Sequence, residues 1–302
     1  MKRKKSHLMV MALVISLLLT ACNNKENKSD AKSKKQVLNL TETAEIPSMD
    51  TTKTTDATSA HVMKNVFEGL YRLDKDNKPI PGVAKSIKIS EDGKKYTFKL
   101  REDAKWSNGD PVTAKDFVYA WQRAVDPETA AEYAFILFDI KNAEKINKRK
   151  IPVDQLGVKA IDDNTLEVEL EQPVPYFLNL IAFPTFFPLN EKFVKEQGDK
   201  YGLEANKIVY NGPFILDEWK HEQGFQLKKN PNYWDKKTVK LEEINFNIVK
   251  DTSTAVNLYE TGQIDRVAIN AEFVDKYKKN KDLHISSDST IVFYVLIKKI
   301  KH

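Results

Sequence analysis

Ile87-Lys88-Ile89-Ser90-Glu91-Asp92-Gly93-Lys94-Lys95-Tyr96-Thr97-Phe98-Lys99-Leu100 alternates apolar and polar residues on either side of a short turn. Gly93 can supply the positive φ that such a turn requires, so the stretch predicts an antiparallel hairpin with one face toward a core. The pattern returns where Val158–Ile161 and Thr165–Leu170 flank Asp162-Asp163-Asn164. Between the two hairpins, Thr113 precedes the run Phe117, Tyr119, Ala120, Trp121 and Ala124, which Asp126-Pro127 closes. This is the spacing of a helix capped by Thr113, with Asp116 as a weaker substitute for the usual Glu or Gln of a capping box.

Further out, Val37–Leu40 alternates as a short strand, and Ala57–Leu70 carries Val62, Met63, Val66, Phe67 and Leu70 at helical spacing. Strands are expected at Phe214–Leu216, Phe225–Leu227 and Ile244–Ile248, then a helix over Thr252–Thr261 closed by Gly262. The elements are strand-rich α/β without regular β-α-β alternation, which argues against a simple doubly wound sheet. No Pro/Gly/Ser-rich spacer interrupts residues 36–302, so domain boundaries must be made by chain crossings.

The 302 residues, 41% hydrophobic and 30% charged, suffice for one large or two ordinary domains with real cores. The formal charge of +5 originates at the N-terminus, where residues 1–35 hold nine bases and two acids. The remainder is near neutral, so the composition gives no support to nucleic-acid binding, which needs a basic stripe on a folded face. Lys2–Lys5 and the apolar run Leu8–Thr20 form a signal-peptide pattern, too short to span a bilayer comfortably. The run ends in Leu19-Thr20-Ala21-Cys22, which resembles the lipobox of bacterial lipoproteins. Residues 1–21 are then a lipoprotein signal peptide, Cys22 the lipidation site and 22–35 a flexible polar tether. Acyl chains at Cys22 would hold the protein on the outer face of the cell membrane.

Catalytic signatures are missing. The ten glycines are scattered and form no phosphate cradle, and the five histidines have no metal-ligand spacing. No nucleophile elbow occurs. The acidic pairs Glu102-Asp103, Asp162-Asp163 and Glu242-Glu243 read as solvated turns or strand ends. No cofactor, metal or enzymatic activity is expected. The aromatic residues Trp106, Trp121, Trp219, Trp234, Phe183, Phe186 and Phe187 remain candidates for stacking platforms, with core packing the blander reading, favoured for Trp121. Trp106, beside Ser107-Asn108-Gly109-Asp110-Pro111, is expected to cover that turn.

A set of longer motifs goes further: Asn65-Val66-Phe67-Glu68-Gly69-Leu70-Tyr71, Pro81-Gly82-Val83-Ala84, Lys105-Trp106-Ser107-Asn108-Gly109-Asp110-Pro111-Val112-Thr113-Ala114, Asp116-Phe117-Val118-Tyr119-Ala120-Trp121-Gln122-Arg123, Pro173-Val174-Pro175-Tyr176-Phe177, Asn211-Gly212-Pro213-Phe214 and Asn230-Pro231-Asn232-Tyr233-Trp234-Asp235. Their wording and order resemble the oligopeptide-binding proteins of ABC importers, family 5 of the extracellular solute-binding proteins. The likeness runs from about Val37 to Tyr294. It implies a periplasmic-binding-protein-like type II fold, in which two hinged lobes enclose an extended peptide and then dock on a permease.

By position, the resemblance divides the chain into a first part of lobe I (36–67), a smaller inserted subdomain (68–190), a continuation of lobe I (191–288) and a crossover (289–302) toward a second lobe. It places Thr55, Asp56 and Ala57, Tyr133, and Ala268, Ile269 and Asn270 against the peptide. Relatives continue into the second lobe after the strand Thr290–Tyr294, whereas this sequence passes through Val295–His302 and stops. The expectation is therefore a chain truncated at its C-terminus, with the second lobe missing and peptide capture impaired. Two other readings stay open, a receptor for a signalling peptide such as a pheromone and a surface lipoprotein without ligand binding.

Overall fold

The computed structural model describes residues 35–285. Cys22, the leader and tether before it and after it, and the 289–302 crossover lie outside the described residues. In chain order the strands are β1 (Val37–Glu42), β2 (Tyr71–Leu73), β3 (Pro79–Pro81), β4 (Ala84–Ile89), β5 (Lys95–Leu100), β6 (Val158–Asp162), β7 (Thr165–Glu169), β8 (Phe214–Lys220), β9 (Gly224–Lys229) and β10 (Glu243–Ile248). The helices are α1 (Ala57–Val66), α2 (Ala114–Val125), α3 (Ala143–Asn147), α4 (Phe177–Leu180), α5 (Glu191–Gln197), α6 (Thr252–Glu260) and α7 (Ala271–Tyr277).

The first sheet has the order β1-β10-β9-β8. β1 runs parallel to β10, Leu38 opposite Ile244 and Leu40 opposite Phe246, and the other pairs are antiparallel. Alternation sorts the faces, as period 2 requires. Leu40, Phe246 and Phe225 form one apolar row with the last two rings stacked at 4.6 Å. On the opposite face Gln226 Nε2 donates to Asn245 Oδ1 at 2.8 Å, and Asn245 Nδ2 donates to Asn39 Oδ1 at 3.1 Å. The second sheet, β4-β5-β7-β6, is wholly antiparallel and lies in sequence between β1 and β8 of the first. β2 and β3 form a separate ribbon.

Both expected hairpins form, with Gly93 at φ 67° in the first turn. α2 packs on the second sheet through Phe117, Ala120, Trp121 and Ala124, all buried, and Trp121 Nε1 donates to the Phe186 carbonyl at 2.9 Å. Trp106, Phe186 and Phe187 are core residues too, and one continuous buried cluster joins the two sheets. The indole of Trp106 donates to Asp116 at 3.3 Å.

Asp116 does more at the start of α2 than a weak substitute would. One carboxylate oxygen accepts from the Thr113 N–H at 2.8 Å, the Thr113 hydroxyl at 3.3 Å and the Trp106 indole. Burial pushes its carboxyl up to about 6, against the pull of these donors. The folded state therefore binds this proton more tightly than the unfolded chain, and the associated stability is full below the ordinary aspartate range and lost as pH rises through about 6. Relative to Asp116→Asn, the wild type is expected to lose about 3 kcal/mol of unfolding free energy between about pH 3.5 and 7. Urea titrations of both proteins across that range check this; parallel pH profiles would refute it.

α1 ends earlier than its apolar spacing suggests. Phe67 and Leu70 are buried, but the helix stops at Val66 and Phe67 turns extended at φ −120°, ψ 159°. A distant segment supplies the cause. Asn211 accepts from the Glu68 N–H at 3.0 Å and donates to the Glu68 carbonyl at 2.8 Å, while the Gly212 N–H takes the Val66 carbonyl at 2.9 Å. A Cβ at Gly212 would sit 2.5 Å from the Val66 carbonyl carbon, so only glycine permits this approach.

Candidate functional site

Thr55, Asp56 and Ala57 lead into α1. Asp56 is its N-cap, accepting from the Ser59 N–H at 2.8 Å, which commits that carboxylate to the helix. α1 lies on the first sheet, where His61 Nδ1 meets Glu42 at 2.6 Å and its ring sits edge-on to Phe246. Thr55 and Ala57 are exposed at the entrance to the helix.

Tyr133 comes from the other part of the chain. It occupies a kink, φ −92° and ψ 16°, in the 3₁₀ segment Glu132–Leu137, and its hydroxyl donates to the Thr55 carbonyl at 3.4 Å. Phe135 and Phe183 stand edge-on to the Tyr133 ring at 5.9 and 5.6 Å. Phe135 is 58% exposed, an unusual state for a large apolar ring. Tyr133, Phe135 and Phe183 thus make a partly open aromatic face beside the Thr55 carbonyl. An extended ligand could stack side chains here and offer amides to the backbone.

Ala268, Ile269 and Asn270 belong to a separate stretch. Asn270 caps α7 by accepting from the Glu272 N–H at 3.1 Å. Just upstream, Asp265 runs along the outer edge of β1. Its carboxylate accepts from the Asn39 N–H at 2.6 Å, and its own N–H donates to the Asn39 carbonyl at 2.8 Å. Among the described residues no hydrogen bond joins 268–270 to Thr55–Ala57 or Tyr133.

Two largely buried charge clusters tie distant segments of the chain together, and the sequence reading anticipates neither. Arg123 on α2 grips both carboxylate oxygens of Asp50 at 2.7 Å, with side-chain exposures of 16% and 5%. Glu68 is 3% exposed and accepts from Tyr233 Oη at 2.6 Å, Trp234 Nε1 at 2.6 Å and Arg72 Nη1 at 3.3 Å. Arg101 lies 3.6 Å over the Trp234 ring. Burial holds the Glu68 carboxyl above the ordinary glutamate range. Among the described residues no three His, Cys, Asp or Glu side chains group as metal ligands would, and no helix is long and apolar enough to cross a membrane.

Residues 78–301 match the family described as bacterial extracellular solute-binding proteins, family 5 middle. The chain belongs to this family. It is 38% identical to the oligopeptide-binding protein OppA of Bacillus subtilis over 97% of this chain and 55% of the relative. Among solved structures, the substrate-binding domain of an oligopeptide ABC transporter from Bacillus anthracis is 69% identical with a TM-score of 0.81, over 82% of this chain and 48% of that one. OppA of Listeria monocytogenes, solved with a bound peptide, is 51% identical with a TM-score of 0.80, over 83% and 50%. The chain spans about half the length of the relatives it matches. The type II solute-binding fold expected from the motifs is therefore the observed one. Family 5 proteins are extracytoplasmic binding proteins, and no catalytic family is indicated.

Proposed function

We propose that this chain forms the first lobe of an oligopeptide-binding lipoprotein that captures peptides outside the cell and delivers them to an ABC permease, with Cys22 carrying the lipid. In this reading residues 36–67 and 191–288 make the lobe, and 68–190 are its smaller subdomain. The single observation that carries the reading is the aromatic face built where Tyr133 of the subdomain reaches the Thr55 carbonyl at the entrance to α1. The solved relative with a bound peptide supports it. Ala57 would meet the ligand beside Thr55, while Asp56 and Asn270 would hold their helices and the Ala268-Ile269 stretch would border the second strand edge.

Calorimetry with mixed tri- to octapeptides tests the reading. Tyr133→Ala is expected to weaken binding about tenfold or more, as loss of a central aromatic anchor does. Tyr133→Phe should retain most of it, because the hydroxyl contact at 3.4 Å is long. Absence of heat and of any thermal shift with every peptide pool would sink the proposal.

A further inference from the structure

A cavity of ≈ 590 Å³ opens beside the Asp50–Arg123 pair, between the 48–53 turn, α2 and residues 194–203. Thr55, Tyr133 and Phe135 do not line it, so it is distinct from the aromatic face. Tyr201 forms one wall and is only 5% exposed, yet its hydroxyl has no hydrogen-bond partner among the described residues. The ring is buried but the oxygen is not sealed in the core, so the hydroxyl is reachable from the cavity and offers a donor to what enters it.

The other polar groups on the lining are mostly donors. The Tyr119 hydroxyl also makes no hydrogen bond among the described residues, and Lys53 forms no ion pair there. Burial holds both phenols above their ordinary range, so each keeps its proton to donate. Asp50 is saturated by Arg123 and accepts from the Thr52 N–H as well. Lys195 is held by Glu191 at 2.6 Å. Asp199, the remaining acid on the lining, disfavours a second negative charge on any ligand. Val194 and Leu203 supply apolar surface, Leu203 with 46% of its area exposed. The volume falls within the range of sites that hold small organic molecules.

We propose that this cavity is a binding site for a small organic monoanion, its carboxylate taken by Tyr119, Tyr201 and Lys53 and its apolar body by Val194 and Leu203. The site stands independently of the peptide-binding reading, since it uses none of the same residues.

Isothermal titration of the full chain with benzoate, benzamide, phenyl phosphate and inorganic phosphate tests it. Benzoate is expected to bind, with benzamide at least about tenfold weaker because hydrogen bonds to a charged group are the stronger ones, and the two phosphates at least about tenfold weaker because Asp199 opposes their second negative charge. Tyr201→Phe keeps the ring and should weaken benzoate by about ten- to a hundredfold. Tyr119→Phe, at a half-buried position, provides a second variant and should weaken it in the same direction. Benzamide binding as tightly as benzoate would overturn the charge assignment. Inorganic phosphate binding without benzoate, or benzoate binding unchanged in both phenylalanine variants, would overturn the site.

Discussion

Asp50→Ala is expected to lower the unfolding free energy by about 3–5 kcal/mol, a large fraction of the stability of a typical domain. The carboxylate meets the Arg123 guanidinium through two 2.7 Å bonds, and both side chains are largely withdrawn from water. Removing one partner leaves a largely buried charge without its counterion. The Asp50 carboxylate also accepts from the Thr52 N–H at 3.1 Å, so the turn leading to Thr55 loses that contact too, while the bonds from the Lys53 and Thr54 N–H groups to the residue 50 carbonyl survive the substitution. Replacing both partners should cost less than the two single changes added together, because the orphaned charge is gone. Urea unfolding of Asp50→Ala, Arg123→Met and the double variant, followed by tryptophan fluorescence, measures this. Additive losses would mean that the pair is not coupled.

Glu68→Ala is expected to cost about 3–5 kcal/mol for a related reason. Its carboxylate is the acceptor for Tyr233, Trp234 and Arg72; Arg72 is half-exposed and keeps Tyr233 and Asp235, but the more enclosed Tyr233 and Trp234 donors left unmatched are worth about 1–3 kcal/mol each. Arg72 Nε is already buried without a partner, so the remaining contacts of this guanidinium matter more. Glu68→Gln keeps one acceptor and should lose clearly less than Glu68→Ala. It should also change the pH dependence: because burial raises the Glu68 carboxyl, its contribution is present at low pH and is lost as pH rises through the folded value. Denaturant midpoints of the two variants over acidic and neutral pH check both statements. Equal losses at all pH values would show that the cluster contributes only packing.

The local elements were legible because their causes are local. Gly93 and the alternating residues around it specify the β4–β5 hairpin, and Thr113 to Ala124 specify α2 with the correct buried face. The parallel pairing of Val37 with Glu243 leaves no trace in either segment, since each strand alternates in the same way whatever its neighbour. The end of α1 departs from its apolar spacing for the same kind of reason: Phe67 and Leu70 keep a helical spacing, but Asn211 and Gly212 draw the backbone out of the helix. At the candidate site, Tyr133, the Thr55 loop and residues 268–270 come from position within the family resemblance, not from any local pattern. Phe135 carries no sequence signal because it lies in a 3₁₀ segment without periodicity, and Arg123 carries none because a polar residue on a helix face reads as solvated until Asp50 arrives from far along the chain.

The β1–β10 pairing also orders events during synthesis. The ribosome makes β1 about two hundred residues before its partner, an interval of about 10–40 s at ordinary elongation rates. In that time β4 to β7 can find one another without waiting for later chain, whereas β1 keeps both hydrogen-bonding edges vacant. A nascent chain that has not yet reached Glu243 therefore carries an unpaired strand, the state in which wrong edge-to-edge pairing is easiest.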